Sequence, residues 1–366
     1  MAPISIAIVG TGGIARAHIA ALRTLGNAAV VAVTDIDATR ALAFREEFGI
    51  PASYVTLTAL LSEARPGLVH VCTPPGSHAS LALQCLRAGS PVLVEKPPTL
   101  SLAELDAVTQ AQGEDGPWFA TVFQHRFGSG ARRLRQLIAA GTLGRPLLAI
   151  CHTTWFRNQE YFDVPWRGRW DTEGGGPTMG HGIHQMDLLA YLLGDWTQVS
   201  AIARRQARRM HTEDISMAHV TFANGAEASV VNSVLSPREE SYLRFDFEKA
   251  TVELTHLYGY RDENWRITPA PGCEAEVRSA WNAGERGVAS GHAAQFAAVL
   301  SALQQGSAPP VTAADALVTM RLVAGIYASA FLGRSVSQAD LGPQSPFYHH
   351  MNGDGGTLDQ LTAAAR

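Results

Sequence analysis

The sequence predicts an α/β protein in two parts. The first is a doubly wound parallel sheet, and the second is an α+β domain with a large, mostly antiparallel, open-faced sheet. Short apolar runs alternate with helical patterns as far as residue 97, which is typical of parallel strands joined by crossover helices. Between residues 199 and 255 the pattern changes to strands of alternating or β-branched residues. A chain of 366 residues is long enough for about two domains.

Composition and charge exclude several classes of protein. Hydrophobic residues make up 46% of the chain and charged residues 17%, which is typical of a globular domain and not of a disordered one. The net charge of -4 gives no reason to expect binding to nucleic acid or to an anionic membrane, and no apolar run suggests a membrane span. The widely spaced cysteines indicate free thiols in a cytoplasmic protein: Cys72, Cys85, Cys151 and Cys273.

The first element is a buried strand, residues 4–9, that leads directly into a glycine-rich turn and a helical pattern. The turn reads G-x-G-x-x-A. Gly10 makes the tight turn, Gly12 lets the backbone approach a pyrophosphate, and Ala15 allows the helix to pack closely on the strand. The helix N-terminus offers free N–H groups to the phosphates. The pattern predicts a Rossmann dinucleotide-binding fold whose cofactor contacts are Gly10, Thr11, Gly12, Gly13 and Ile14.

The second strand, residues 29–34, ends at Asp35. A carboxylate here can accept both ribose hydroxyl groups of NAD and repel the 2′-phosphate of NADP, so NAD is the favoured cofactor. Alternatively, Asp35 or Asp37 caps the next helix, residues 39–48. We assign the ribose to Asp35 and the cap to Asp37. Arg40 could still accommodate a 2′-phosphate, which leaves NADP open.

The third strand pattern, residues 68–73, is closed by two prolines, and His78 lies in the first turn of the following helix. Two interpretations of His78 stay open at this point: a structural histidine or a contact to the cofactor.

The last strand of this series, residues 91–94, is followed at once by Glu95, Lys96 and two prolines. Proline cannot donate to a sheet, so the strand must end there. Ligands of open parallel sheets bind beyond the carboxyl ends of the strands, which places Lys96 at the mouth of a cofactor crevice. The alternative is a Glu-Lys ion pair on the surface.

Four motifs occur together at characteristic spacings: Gly10-x-Gly12-x-x-Ala15, Asp35, Thr73-Pro74-Pro75-x-x-His78 and Glu95-Lys96-Pro97. Together they closely resemble the Gfo/Idh/MocA oxidoreductases, the relatives of glucose–fructose oxidoreductase and inositol 2-dehydrogenase. The resemblance runs from residue 4 to about residue 335. It implies that Lys96 is a catalytic residue beside the nicotinamide and that the Lys96–Pro97 peptide bond is cis. It also implies further cofactor contacts, at Thr73, Pro74, His78, Glu95 and Lys96.

The same resemblance divides the chain into an NAD(P)-binding domain, residues 1–127, a substrate and dimerisation domain, residues 128–340, and a C-terminal tail, residues 341–366. Asn224-Gly225 between two strand patterns predicts a hairpin. Residues 260–290 read as a loop. The resemblance implies that the open face of the second sheet forms a homodimer or homotetramer.

Candidate chemistry in the second domain follows a Gly-Gly-Gly run at residues 174–176. Oxidation of a secondary alcohol needs a base for the hydroxyl proton, and histidine, with an ordinary pKa of about 6.5, suits that task. The family pattern ends in His-x-x-Asp, which His184 and Asp187 match. We therefore predict that His184 is the general base and that the Lys96 ammonium favours the developing alkoxide. The predicted substrate contacts are Lys96, Gln124, Arg126, Trp166, Arg167, His181 and His184.

The chain departs from the family pattern at Gly180, where the family has Asp or Asn. Glycine can neither hold substrate nor tune the base. His181 is adjacent, but neighbouring residues on a helix point about 100° apart, so it would not occupy the same place. The departure leaves substrate range and turnover open. Trp166 and Arg167 either line the cofactor and substrate site or have only a packing role.

A metal site at His181, His184 and Asp187 is disfavoured, because three-residue steps spread these side chains more widely than the i, i+4 pair of zinc helices. We predict no metal. The leading hypothesis is an NAD-dependent oxidoreductase acting on a secondary hydroxyl of a sugar, a sugar derivative or an inositol-like cyclic polyol. The alternatives are an NAD-dependent glycoside-cleaving enzyme of the same fold and a non-catalytic NAD-binding regulator.

Overall fold

The computed structural model describes residues 2–113, 116–356 and 358. The chain forms two compact units. Of the described residues, those within 1–123 and 292–316 form the first unit, and those within 124–291 and 317–366 form the second. This division differs from the predicted domains in three places. The boundary between the units lies after residue 123 instead of residue 127. The segment 292–316 belongs to the first unit, and the described residues after 340 belong to the second unit instead of forming a separate tail.

The first unit contains a six-stranded parallel sheet, which confirms the predicted doubly wound fold. Its strands are β1 (Ile4–Val9), β2 (Ala28–Thr34), β3 (Ala52–Tyr54), β4 (Leu68–Val71), β5 (Val92–Val94) and β6 (Phe119–Thr121). The spatial order is β3-β2-β1-β4-β5-β6, so the order reverses beside β1, where a ligand crevice is expected. The intervening helices are α1 (Gly13–Arg23), α2 (Ala38–Phe48), α3 (Leu57–Ala64), α4 (His78–Arg87) and α5 (Leu102–Gln110).

A helix from the far end of the sequence completes the core of the first unit. His292–Gln304 places Phe296 and Leu300 in one apolar cluster with Ile6 and Leu93. These side chains are almost completely buried. The segment therefore belongs to the first unit because its apolar face covers one side of the parallel sheet.

The second unit contains an eight-stranded sheet. Its strands are β7 (Pro146–Phe156), β8 (Trp196–Arg204), β9 (Ile215–Phe222), β10 (Glu227–Ser233), β11 (Leu235–Phe247), β12 (Ala250–Thr255), β13 (Trp265–Pro269) and β14 (Val336–Ser337). Their spatial order is β13-β12-β11-β7-β10-β9-β8-β14. Neighbouring strands are antiparallel except for β7 and β10, which confirms a mostly antiparallel sheet. Asn224 and Gly225 join β9 to β10, as predicted, and Gly225 has a left-handed φ of 87°.

The remaining helices follow the chain. They are α6 (Ser129–Ala139), α7 (Gln159–Phe162), α8 (Pro177–Gly180), α9 (Ile183–Leu193), α10 (Glu274–Ala283), α11 (His292–Gln304), α12 (Ala313–Leu332) and α13 (Pro346–His349). The prediction of a loop over residues 260–290 is wrong, because this segment contains β13 and α10. Both elements are short, and α10 buries only Val277 and Trp281, so the apolar periodicity is weak.

One face of the second sheet lies against the core and the other is open. Burial alternates along β8 and β9, as expected for strands with one covered face. Ile202 and Met217 are directly opposite each other on the open face, and about half of each side chain is exposed.

Helix α12 has 20 residues and a mean hydropathy of 1.4, enough by length and composition alone to cross a membrane. However, 67% of its most apolar window is buried inside the protein, as in the core helix of a globular domain.

Candidate active site

The glycine-rich turn after β1 combines a crowded position with an open one. Gly10 has a φ of 88°, and a Cβ there would lie 2.8 Å from the Thr73 side chain and 3.0 Å from the Cys72 backbone, so only glycine fits. A Cβ at Gly12 or Gly13 would meet nothing within 4 Å. Among the described residues no side chain caps the N-terminus of α1, which leaves its first N–H groups available to a ligand. The turn therefore provides the shape and the donors of a phosphate site.

Asp35 lies just beyond β2 with both carboxylate oxygens engaged. Thr11 donates to Oδ2 from its backbone N and its hydroxyl, each at 2.8 Å, and Arg40 Nη2 lies 2.5 Å from Oδ1. Burial raises the pKa of Asp35, but the hydrogen bonds from Arg40, Asp37 and Thr11 outweigh it and bring the pKa to about 2. Asp35 is thus ionised at neutral pH. Asp37 caps α2, as predicted, and accepts from the Arg40 backbone N at 3.1 Å.

His78 connects the two loops that follow β4 and β5. Its Nδ1 lies 2.7 Å from the Pro97 carbonyl oxygen, and its Nε2 lies 2.8 Å from the Thr73 carbonyl oxygen. The ring is fully buried, and burial lowers its pKa. Because both ring nitrogens contact protein carbonyl groups, the geometry favours the structural role, and the cofactor contact stays a prediction.

Glu95 holds the backbone from which Lys96 extends. Its Oε1 lies 2.8 Å from His18 Nε2 and 3.2 Å from His292 Nε2, and its Oε2 accepts from the Lys96 backbone N at 3.2 Å. Burial raises the pKa of Glu95, but the two histidine hydrogen bonds overcome it and hold the pKa well below its usual range. The following Lys96–Pro97 peptide bond is cis, as the resemblance implies. Glu95 is therefore a buried carboxylate that supports this turn.

The same cluster is the one group of described residues whose donor atoms could hold a metal ion. His18 Nε2, Glu95 Oε1 and His292 Nε2 lie within 4.8 Å of one another. His70 Nδ1 adds a contact of 2.9 Å to His18 Nδ1. In this structure both histidine nitrogens form hydrogen bonds to Glu95 Oε1, so the carboxylate is stabilised by the imidazole rings themselves.

In the second unit, α9 carries His184 and Asp187, and both side chains are buried. Arg126 binds Asp187 at two points, with Nε 2.8 Å from Oδ2 and Nη2 2.5 Å from Oδ1. Thr319 donates to the same carboxylate at 2.9 Å. Arg126, which we predicted as a substrate contact, thus forms a buried ion pair, which favours a structural role. The substrate contact stays a prediction.

His184 is surrounded by aromatic rings. Its ring centroid lies 5.0 Å from that of His125 and 5.5 Å from that of Tyr258. Gln124 donates its side-chain amide to the Tyr258 hydroxyl, so the structure places the predicted Gln124 in the same group as His184. His125 and Tyr258 were not predicted, because neither belongs to a motif.

His181 belongs to a second, adjoining group. The Tyr161 hydroxyl lies 3.3 Å from His181 Nε2, and the Arg167 guanidinium lies over the rings of Tyr161, at 3.8 Å, and Trp166, at 4.3 Å. Trp155 packs edge-on against both His181 and Tyr258 and so joins this group to the one around His184. The structure therefore brings the predicted Trp166, Arg167 and His181 together, and Tyr161 and Trp155 are additions to the site.

The Gly-Gly-Gly run has a packing explanation. A Cβ at Gly175 would collide with the Tyr327 hydroxyl, and one at Gly176 would collide with the Glu213 backbone. Glu213 accepts from Gly176 N at 3.1 Å, from Thr178 N at 3.0 Å and from the Tyr327 hydroxyl at 2.9 Å. Burial raises the pKa of Glu213 to about 7. The glycines thus let the start of α8 approach a fully buried carboxyl group.

Each of the two units matches a known protein family. A family described as "Oxidoreductase family, NAD-binding Rossmann fold" matches residues 4–121, and "GFO/IDH/MocA C-terminal domain" matches residues 131–253. D-apiose dehydrogenase of Paraburkholderia graminis is 27% identical, covering 93% of this chain and 91% of its own. D-glucoside 3-dehydrogenase of Escherichia coli is 27% identical, covering 91% and 97%.

A solved structure is also similar to this chain in sequence and fold. The WlbA dehydrogenase of Chromobacterium violaceum, crystallised with NADH and UDP-GlcNAcA, is 26% identical with a TM-score of 0.80, covering 92% of this chain and 96% of that one. The family matches together span more than half of the sequence, one on each unit. With a glycine cradle in the first unit and a buried histidine site in the second, this chain is an NAD-binding oxidoreductase of the Gfo/Idh/MocA family.

Proposed function

We propose that this protein is an NAD-dependent dehydrogenase that oxidises a secondary hydroxyl group of a sugar, a sugar derivative or a cyclic polyol. The proposal is supported chiefly by the contacts that fix the backbone on both sides of Lys96. Glu95 and His78 bind the backbone on either side of it, so a lysine is presented on a fixed turn beyond the carboxyl end of β5. Such a turn is suited to a residue that has to meet a reacting atom at a defined position.

The residues of the first unit fit NAD. The open space at Gly12 and Gly13 and the uncapped start of α1 suit its pyrophosphate, and the ionised Asp35 can accept the ribose hydroxyl groups. The same negative charge repels a 2′-phosphate, which favours NAD over NADP. Bound NAD supplies a nicotinamide ring that accepts a hydride.

The side chains of this chain would handle the proton. We assign His184 as the base that takes the hydroxyl proton onto a ring nitrogen, because a histidine titrates near neutral pH. We assign the Lys96 Nζ ammonium to the developing alkoxide, which it stabilises electrostatically. The hydroxyl proton would thus pass to His184, and the negative charge that develops on the substrate oxygen would be stabilised by Lys96.

The second unit favours a ring-shaped substrate with several hydroxyl groups. Tyr161, Tyr258, Trp155 and Trp166 present apolar faces together with polar tips, beside the histidine and arginine side chains. The relatives named above are dehydrogenases of apiose and of glucosides, which agrees with this composition. Gln124, Arg167 and His181 are the polar groups that we propose contact the substrate.

We further propose that the protein is a cytoplasmic homodimer or homotetramer. Its four cysteines are free thiols, as in a reducing compartment. The open face of the second sheet carries the exposed pair Ile202 and Met217, and apolar residues on an otherwise polar face are typical of a subunit interface.

The test is nicotinamide reduction by the purified protein with inositols, aldoses, glycosides and sugar acids, with NAD and NADP in parallel. We expect turnover with NAD on at least one of them. Lys96→Ala should abolish turnover while NAD still binds, as measured by calorimetry. Lys249→Ala, which removes an exposed lysine paired with Glu276, is the matched control and should keep full activity.

Two other results would replace this proposal. Sugar release without net NADH would indicate a glycoside-cleaving enzyme, and NAD binding with neither reaction would indicate a regulator.

A further inference from the structure

We infer that Glu173 supplies the carboxylate of this site at the place where Gly180 has no side chain, and that it positions His181 for the reaction. The inference rests on the proposed function and adds a residue to it. Glu173 belongs to none of the motifs in the sequence. It is recognised by its position in the second unit.

The first step is the space beside Gly180. A Cβ on Gly180 would lie 3.4 Å from Glu173 Oε1 and 4.0 Å from Glu173 Cδ. The backbone of Gly180 is not left-handed, so a side chain there would be sterically allowed. Gly180 is the last residue of α8 and is followed immediately by His181. The Glu173 carboxylate therefore occupies the region into which a side chain at residue 180 would point.

The second step is that Glu173 is firmly held. Its side chain is buried, Oε2 accepts from the Gly168 backbone N at 2.6 Å, and Oε1 lies 3.8 Å from Arg167 Nη1. A buried carboxylate is costly unless such donors compensate it. Gly168 itself has a φ of 63°, and a Cβ there would lie 2.6 Å from Met210 Cβ. The donor thus stands at a position that requires glycine, which fixes the carboxylate relative to the backbone.

The third step connects Glu173 to His181. Arg167 Nη1 donates to the Tyr161 hydroxyl oxygen, and the guanidinium stacks on the Tyr161 ring at 3.8 Å. With that oxygen accepting from Arg167, the Tyr161 hydroxyl hydrogen can point to His181 Nε2, 3.3 Å away. Glu173 therefore acts through Arg167 and Tyr161, and it favours the His181 tautomer that carries its hydrogen on Nδ1.

This arrangement explains how the site tolerates glycine at residue 180. An aspartate there would bring a second carboxyl group close to Glu173 Oε1, which lies 3.4 Å from the Cβ position. Two carboxylates in one place repel each other, and one of them has to take up a proton. Aspartate at 180 and glutamate at 173 are therefore alternatives, and the side chain at 180 becomes useful only when Glu173 is removed.

The experiment is a swap of the carboxylate in the full-length protein, with kcat, KM and their pH profiles measured on the best substrate of the panel. Glu173→Ala and Gly180→Asp should each lower kcat/KM by about tenfold or more and displace the pH profile. The double variant E173A/G180D should recover to within a few-fold of the wild type, because the carboxylate returns to the same place. Gly180→Ala is the control and should stay within about twofold, since its Cβ makes an ordinary contact.

A purely structural role for Glu173 would not be rescued by moving the carboxylate. A double variant whose kcat/KM equals the product of the two single losses overturns the inference, as does unchanged turnover in Glu173→Ala. Unfolding temperatures of the wild type, Glu173→Ala, Gly180→Asp and the double variant provide a readout that needs no activity. Gly180→Asp should lower the unfolding temperature less when Glu173 is alanine, and equal lowering in both backgrounds overturns the shared position.

If the wild type turns over no compound of the panel, the proposed reaction itself is contradicted. The exchange of the carboxylate between residues 173 and 180 is then tested by the unfolding temperatures alone. Turnover by the wild type without recovery in the double variant removes only the role of Glu173.

Discussion

Arg126 and Asp187 form a two-point ion pair inside the second unit, with donor–acceptor distances of 2.8 and 2.5 Å. Both side chains are buried, and Thr319 on α12 donates to the same carboxylate. Asp187 lies three residues after His184 on α9. The pair therefore fixes the rotation of the helix that presents His184.

Replacing Asp187 with Asn should destabilise the protein by about 3–5 kcal/mol, because the Arg126 guanidinium stays buried without its carboxylate. Urea unfolding followed by circular dichroism measures this loss. Asp171→Asn is the matched control, since Asp171 forms an exposed pair with Arg169 and should cost at most about 1 kcal/mol. Equal effects of the two substitutions would show that the buried pair does not hold α9.

Replacing Asp35 with Ala should shift cofactor preference toward NADP. The substitution removes the charge that repels a 2′-phosphate and releases Arg40, which now binds Asp35, to meet that phosphate. The ratio of kcat/KM for the two cofactors, or of their dissociation constants, measures the shift. Asp37→Ala should lower stability by about 1 kcal/mol through loss of the α2 cap and leave the ratio unchanged. An unchanged ratio in Asp35→Ala would exclude Asp35 as the selector.

Glu213 should make stability fall as pH rises. Its pKa is raised from 4.5 to about 7 in the folded protein, so between these values the folded state binds the proton and the unfolded state has released it. The stabilisation is complete below about pH 4.5 and is lost as pH rises through 7, with a magnitude of about 3 kcal/mol. Unfolding free energies from pH 4.5 to 8 measure this slope.

The variant that checks this assignment is Glu213→Gln, which should flatten that part of the profile. Glu274→Gln, at an exposed position on α10, should leave the profile as in the wild type. A profile that keeps its slope in Glu213→Gln would assign the pH dependence to another group.

Charges on the open face of the second sheet should dissociate the oligomer. Ile202→Glu and Met217→Glu each place a carboxylate on the exposed apolar pair, which would bury a charge at the proposed interface. Sedimentation velocity should give the monomer mass for both variants and a larger mass for the wild type. Val55→Glu changes an exposed residue of the first unit and should keep the wild-type mass. The same mass in all four proteins would exclude this face.

Local signals explain what could be predicted from the sequence. The turn at Gly10, the cap at Asp37 and the hairpin at Gly225 each depend on residues that are close along the chain, and the structure confirms all three. The end of β5 before Lys96 is set by the prolines that follow it. Because these features define the parallel sheet and its ligand edge, the fold of the first unit was accessible from sequence alone.

Contacts between distant residues explain what could not be predicted. Glu213 binds Tyr327, and Glu173 fills the space beside Gly180, although no sequence motif indicates either contact. The glycines at 175 and 176 could be recognised as a motif, whereas their packing reasons lie far along the chain, at Tyr327 for Gly175 and at Glu213 for Gly176. Only the structure shows that the carboxyl groups of Glu173 and Glu213 lie beside α8.

The position of α11 has a consequence for how the protein is made. The cluster that includes Ile6 and Leu93 is completed by Phe296, and Glu95 receives one of its hydrogen bonds from His292. Translation proceeds at about 5–20 residues per second, so a nascent first unit would wait roughly ten to thirty seconds for these partners. All of residues 124–291 must therefore be translated before the first unit can complete its core and fix the turn that bears Lys96.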